Sequence, residues 1–145
     1  MKHVISRLAP TPSGYLHKGN SFNFLLNWLL ARSAGGKVFL RIDDLSTERV
    51  LDEHSEDIFV SLDWMGMDWD IGPSGVEDFK KNWSQHFRIE EYNKQIEKLK
   101  EKNQLFGCSC SRKQLADAGA TNSYHGICLE KNIPLVTENI SWRIK

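Results

Sequence analysis

Residues Arg7–Asn20 read RLAPTPSGYLHKGN, and residues Lys37–Asp44 read KVFLRIDD. The first stretch joins the end of a β-branched, apolar run (HVISRLA, His3–Ala9) to a Pro/Gly turn and then to a helix start carrying His-Lys-Gly-Asn. That run fits a buried strand halted at Pro10, a residue unable to donate to a sheet ladder. Beyond the turn, Phe22, Leu25, Leu26, Leu29 and Leu30 recur at helical spacing from about Lys18 to Ser33, and Gly35-Gly36 ends the helix. KVFLRID then forms a second strand. Strand, helix and strand in close succession make a βαβ unit, with parallel strands and a ligand crevice at their carboxyl ends, where Arg7 and Asp43 fall. The junction of strand and helix suits nucleotide phosphates, because the first N–H groups of a helix lack intrahelical partners and carry the positive end of its dipole. Gly14 and Gly19 allow close backbone approach, and His17 is placed to donate to a phosphate oxygen as charge develops there. Neither G-x-x-x-x-G-K-[ST] nor G-x-G-x-x-G occurs, which removes the main support for Walker and dinucleotide-binding readings.

Further along, Ile58, Phe59, Leu62 and Met65 predict a helix over Asp52–Met65, with Ser46 or Thr47 as the preceding turn or cap. GMDWDIGPSG has the Gly and Pro density of a loop. Ile89, Tyr92, Ile96 and Leu99 then mark one face of a long amphipathic helix from about Gln85 to Asn103. Trp64, Trp69 and Trp83 read as core and loop packing rather than a base-stacking platform. With 145 residues, 40% hydrophobic and 26% charged, the chain is of a size for one main domain with a real core. Net charge is zero without a basic block, which argues against generic nucleic-acid binding through a positive field. No bilayer-length apolar run or signal-peptide pattern is present, so the expectation is a cytoplasmic protein with no membrane partner. Three cysteines in a reducing compartment argue against a disulfide framework.

Taken together, RLAPTPSGYLHKGN and KVFLRIDD resemble the R-F-A-P-S-P-[ST]-G-x-L-H-x-G and L-R-I-E-D motifs of class I aminoacyl-tRNA synthetases of the glutamyl and glutaminyl group. SLDWMGMDWDIGP is similar to that family's L-x-x-L-G-x-x-W-D-x-G-P segment, and WSQHFRIEEY to its Y-x-Q-S-x-R-x-x-x-Y helix start. The resemblance implies an α/β fold, a Rossmann-like (HUP-type) parallel sheet with flanking helices. It implies that Arg7 reads the side-chain carboxylate of glutamate, for which a guanidinium fork is well matched. Ala9 and Thr11 line the same pocket, and Asp43, one methylene shorter than the usual glutamate, meets the α-ammonium. His17, Gly19 and Asn20 match the H-I-G-H motif that holds ATP, with His17 and Asn20 in the catalytic role. Without the family, Arg7 and Asp43 read as an ion pair or as surface charges. APTPSG and Asn20 favour the glutamyl over the glutaminyl branch.

Cys108-Ser109-Cys110 followed by Tyr124-His125-Gly126-Ile127-Cys128 places three thiols beside a phenol and an imidazole, a donor set suited to tetrahedral zinc. The pattern is similar to the zinc knot of glutamyl-Q tRNA(Asp) synthetases, which implies Cys108, Cys110, Tyr124 and Cys128 as ligands of a structural Zn²⁺. His125 remains the competing fourth donor. The expected division is residues 1–104 as the N-terminal half of the Rossmann-like catalytic domain, 105–135 as a small zinc-binding insertion, and 136–145 as the start of the returning strand.

No K-M-S-K-S-like motif occurs before Lys145, so the chain reads as an incomplete class I synthetase catalytic domain, an N-terminal fragment or short form. The reaction implied is activation of L-glutamate by ATP, with Mg²⁺ on the triphosphate, followed by transfer to tRNA-Glu or queuosine tRNA-Asp. The alternative is a non-catalytic ATP- and glutamate-binding remnant.

Overall fold

Strand β1 (Ile5–Leu8) pairs in parallel with β2 (Lys37–Leu40), in a register that runs from Ile5 opposite Lys37 to Leu8 opposite Leu40. The helix between them, α1, spans Lys18–Ser33, as the apolar spacing predicts. These elements belong to a computed structural model that describes residues 4–45, 52–117, 119, 124 and 126–145. By internal contacts the chain forms two units, Met1–Ile89 and Glu90–Lys145. His3, Ser46, Thr47 and His125 lie outside the described residues.

In the first unit, Leu8, Val38, Leu40 and Ile42 are almost wholly buried against Ile58 and Leu62 of α2 (Asp52–Trp64), with Met67 and Phe79 closing the cluster. The apolar stripe of α1 is only partly used. Phe24 and Ala31 are buried and Leu25 and Trp28 pack against the core, whereas Phe22, Leu26, Leu29 and Leu30 are exposed. Helical spacing thus located the helix correctly, but the buried face is the one that meets the sheet at positions 24, 28 and 31.

A tight turn joins α1 to β2. Gly35 adopts a φ of +63°, and the Gly36 N–H donates to Ala31 O at 2.8 Å while Gly35 N–H donates to Arg32 O at 3.0 Å. This is the Schellman arrangement. A Cβ on Gly36 would stand 2.5 Å from Val4 O, so the turn can press against β1 only with glycine there.

The Gly/Pro-rich segment that reads as a loop does more than connect. Ile71 forms a parallel bridge with Phe39, and Leu40 N–H donates to Ile71 O at 2.8 Å, so the segment runs beside β2 as a minimal third strand. Arg32 of α1 ties it down, through Asp70 at 2.8 Å and Asp68 at 3.0 Å. Asp70 also accepts the Val38 N–H at 2.7 Å, and Asp68 accepts the indole N–H of Trp28 at 2.9 Å. Of the tryptophans read as packing residues, Trp69 sits against the core, with its indole N–H donating to Pro73 O at 3.0 Å. Trp64, however, is 86% exposed, because its side chain leaves α2 on the solvent side.

The helix expected over Gln85–Asn103 begins later. Short helix α3 (Val76–Asp78) runs into a π turn at Phe79–Trp83, and a 3₁₀ turn at Gln85–Arg88 precedes α4 (Ile89–Glu101). Ser84 caps the 3₁₀ turn by accepting the His86 N–H, and the Gln85 side chain is drawn to Ile42 O and Asp43, so these residues leave the helical register.

The second unit holds most of α4, strand β3 (Leu105–Cys108), helix α5 (Arg112–Asp117) and strand β4 (Ser141–Ile144). β3 and β4 pair antiparallel, with Phe106 opposite Arg143 and Cys108 opposite Ser141. Its small core consists of Phe106, Cys108 and Cys128, with Cys110, Tyr124 and Ile133 against them. Among the described residues, no helix is long and apolar enough to cross a membrane.

Two outcomes follow from these packing terms. Gly36→Ala destabilises the first unit by about 1–3 kcal/mol in urea unfolding, because the added methyl group overlaps the Val4 backbone just before β1. The Asp70 carboxyl is held below the usual carboxylate range by the Val38 N–H and Arg32. Its stabilising contribution is therefore complete above the unfolded pKa near ~4 and is lost as pH falls through the lower folded value. Unfolding midpoints followed from neutral pH down into that range fall less steeply for Asp70→Asn than for the unmodified chain.

Candidate functional site

Three of the expected amino acid residues, Ala9, Thr11 and Asp43, lie where β1 and β2 run out. Beyond the regular ladder, Arg41 N–H donates to Leu8 O at 2.9 Å and Asp43 N–H to Pro10 O at 2.8 Å, which sets Ala9, Pro10 and Thr11 alongside Arg41–Asp43. Pro10 and Pro12 are fully buried and stiffen this segment. Thr11 is exposed and Ala9 half-buried.

The turn into α1 is held from α2. Asp57 accepts the Leu16 N–H at 2.9 Å, and the His54 ring meets the Tyr15 ring edge-on at 5.1 Å. His17 is the N-cap of α1, with its Nδ1 accepting the Gly19 N–H at 3.1 Å. A neutral ring bonded in this way carries its proton on Nε2, which leaves that N–H free to donate. A Cβ at Gly19 would come within 3.1 Å of the His17 ring, so the ring would have to shift by a few tenths of an ångström. The Gly19 N–H is thus spent on His17, and the histidine side chain, with Asn20 one position further on, faces solvent.

Arg7 lies elsewhere on the same sheet end. It lines a cavity of about 340 Å³ together with Arg41, Gln85 and Arg88, among the apolar groups of Phe39, Ile71 and Trp83. Arg7 and Arg88, beside an Arg41 already paired with Asp43, favour an anionic ligand in this concavity. The ion pair of Asp43 is with Arg41, at 2.6 Å, and not with Arg7. A second Arg41–Asp43 contact of 2.8 Å and a 2.6 Å bond from Gln85 Nε2 also reach this carboxylate. Neighbouring Asp44 is buried and accepts the Gln85 N–H at 2.9 Å. Sequence reading missed the parts played by Asp44, Asp57 and Gln85. The doubled acid after β2 and the Gln of WSQ were visible signals, but the Asp57 contact spans 41 residues and had none.

The second cluster is made of sulfur. The Sγ atoms of Cys108, Cys110 and Cys128 lie within 4.8 Å of one another, and Cys110 and Cys128 approach to 3.3 Å. Tyr124 joins them, its hydroxyl oxygen accepting the Cys128 N–H at 2.9 Å. Burial pushes the Cys108 thiol up, but contacts from the Tyr124 hydroxyl, the Cys110 N–H and Arg143 outweigh it and bring the group down to about 6. The Cys110 thiol is pushed up to about 11 by Cys128 and by burial, and burial with the Cys108 contact pushes the Tyr124 phenol up to about 12. A tetrahedral site with Zn–S bonds of about 2.3 Å places sulfurs about 3.8 Å apart, so the thiol spacing and donor chemistry fit zinc.

A family model described as tRNA synthetases class I (E and Q), catalytic domain, matches residues 3–136. A glutamate–tRNA ligase of Desulfosudis oleivorans is 37% identical over 141 residues, covering 92% of this chain and 28% of the relative. A glutamyl-Q tRNA(Asp) synthetase of Nitratidesulfovibrio vulgaris is 39% identical over 132 residues, covering 86% of this chain and 40% of that protein. The crystal structure of a glutamate–tRNA synthetase from Elizabethkingia anophelis superposes with a TM-score of 0.61 at 28% identity, over 82% of this chain and 24% of that one. The chain therefore spans well under half the length of these relatives. The match runs through both parallel strands, the capped helix and the cysteine cluster alike, and the chain belongs to the catalytic-domain family of class I tRNA synthetases for glutamate and glutamine.

Proposed function

We propose that this chain supplies the ATP- and glutamate-binding part of a glutamate-activating aminoacyl-tRNA synthetase, which forms glutamyl-adenylate and pyrophosphate and then transfers glutamate to tRNA. The observation that carries this reading is the arginine-lined cavity at the end of β1, within a family match that covers both strands. Arg7 would grip the substrate's side-chain carboxylate with its planar fork. Ala9 and Thr11 would line the approach, and Asp43, oriented by Arg41 and Gln85, would meet the α-ammonium. At the start of α1, the free Nε2 donor of His17, the Asn20 side chain and the helix dipole would hold ATP phosphates, and Gly19 would keep the His17 ring in place. Mg²⁺ would travel with the nucleotide as part of the substrate. The substrate carboxylate itself attacks the α-phosphate, so these groups act by position and charge, and no enzyme nucleophile is required.

Cys108, Cys110, Tyr124 and Cys128 would hold Zn²⁺, in a zinc-binding insertion over residues 105–135 between the catalytic half (1–104) and the strand-bearing 136–145. When bound, the metal would lock the end of β3 to the segment around Cys128 and take no part in the reaction. The cysteine pattern and the serine of APTPSG favour the queuosine tRNA-Asp acceptor over tRNA-Glu, with cytoplasmic activity in either case. Charging of the two tRNAs by a form of the protein that includes the remainder of the catalytic domain separates these acceptors.

Calorimetric titration tests the amino acid site. Arg7→Ala weakens glutamate binding by about tenfold or more while leaving ATP binding within about twofold, since only glutamate loses a charged hydrogen-bond partner. Equal losses for the two ligands would remove Arg7 from the pocket. For the metal, elemental analysis returns about one zinc per chain, and Cys128→Ser lowers that content sharply, as expected when one of four ligands is lost.

A further inference from the structure

The sulfur cluster has a neighbour that its ligand set does not account for. Phe106 and Arg143 are directly opposed across the antiparallel β3–β4 pair, and both side chains meet the Tyr124 ring. The Arg143 guanidinium lies 4.0 Å from the ring centroid, while Phe106 stands 6.0 Å away at a tilt of 30°. Successive residues of a strand face opposite ways, so Cys108, two positions after Phe106, shares the face that holds Arg143. Arg143 is half-buried, and its Nε is buried with no hydrogen-bond partner among the described residues.

A buried guanidinium N–H without an acceptor is costly unless negative charge stands nearby to compensate it. Three thiolates and a phenolate around a dication amount to two net negative charges, and three thiolates with a neutral phenol to one. Either charge, half-buried in so small a core, calls for a fixed cation. We propose that Arg143 is a positioning residue of the metal centre, supplying its compensating positive charge and, by stacking on Tyr124, holding the phenol as the fourth donor in preference to His125. This rests on the zinc reading above and adds a residue outside the ligand set.

Competition with a chromophoric chelator measures zinc affinity on the full chain. Partners outside the ligand shell commonly change metal affinity by about tenfold or more, so Arg143→Gln weakens zinc by at least that factor, whereas Arg143→Lys, which keeps the charge, stays within about threefold of the unmodified chain. Cobalt loading supplies a second readout. The visible spectrum of Arg143→Gln moves toward that of Tyr124→Phe, and His125→Ala leaves the unmodified spectrum in place. Unaltered zinc affinity in Arg143→Gln, or a loss in Arg143→Lys as large as in Arg143→Gln, overturns the charge role. An unmoved cobalt spectrum in Arg143→Gln overturns the positioning role. Should the Gln variant not fold, as judged by circular dichroism of the metal-free protein, the Lys variant decides: retained affinity with a shifted cobalt spectrum supports the proposal, and lost affinity ends it. If the unmodified chain binds no zinc, the cysteine cluster itself loses its metal reading and the role of Arg143 falls with it.

Discussion

Two backbone hydrogen bonds beyond the regular ladder, Arg41 N–H to Leu8 O and Asp43 N–H to Pro10 O, hold the segments after β1 and β2 side by side at the candidate site. Parallel strands end on the same side of a sheet, so residues that follow each strand come together only if pairing persists past the last regular position. Here it persists just long enough to lay the APTP segment beside Arg41–Asp43. Both strands lean on one core made by Leu8, Val38, Leu40 and Ile42, and the burial of these side chains keeps the register from slipping.

Around that sheet end, charge is arranged to orient other groups. Asp43 carries an arginine fork on one side and a glutamine amide on the other, and the amide is itself steadied by Ile42 O. Asp44 accepts the Gln85 N–H and fixes the turn that delivers Gln85, so the two adjacent acids hold the backbone and the side chain of one residue. On the helix side, the Arg32 knot with Asp68 and Asp70 fastens the edge segment to α1, so that two stretches of chain distant in sequence behave as one support for β2.

The second unit shows the same economy at a smaller scale. With so few buried side chains, it relies on sulfur, one phenol and one guanidinium packed against Phe106. Among the described residues the Arg143 Nε is buried without a hydrogen-bond partner, so the polar groups of this small core do not all satisfy one another. A ligand set of this kind links cohesion of the unit to occupancy of the site, because the same atoms serve both.

The βαβ unit was legible because its signals are local: Pro10 stops a strand, Gly35-Gly36 stops a helix, and apolar spacing changes from two to three or four between them. The cysteine cluster was legible for a related reason, since short spacings in CSC and YHGIC leave the chain little freedom to separate the donors. Other features depended on contacts across dozens of residues. No periodicity announces that Ile71 will bridge Phe39, that Asp43 will pair with Arg41 rather than Arg7, or that Asp57 will hold the turn before His17. Nor could spacing choose among the apolar faces of α1, because Phe22 and Phe24 are equally apolar and only the position of the sheet buries one of them. Sequence alone settled the βαβ unit, the helix after it and the chemical groups these carry, because backbone preferences act over a few residues. Tertiary structure decided which of those groups meet, because that depends on how far each strand pairs and which side of each helix the core requires.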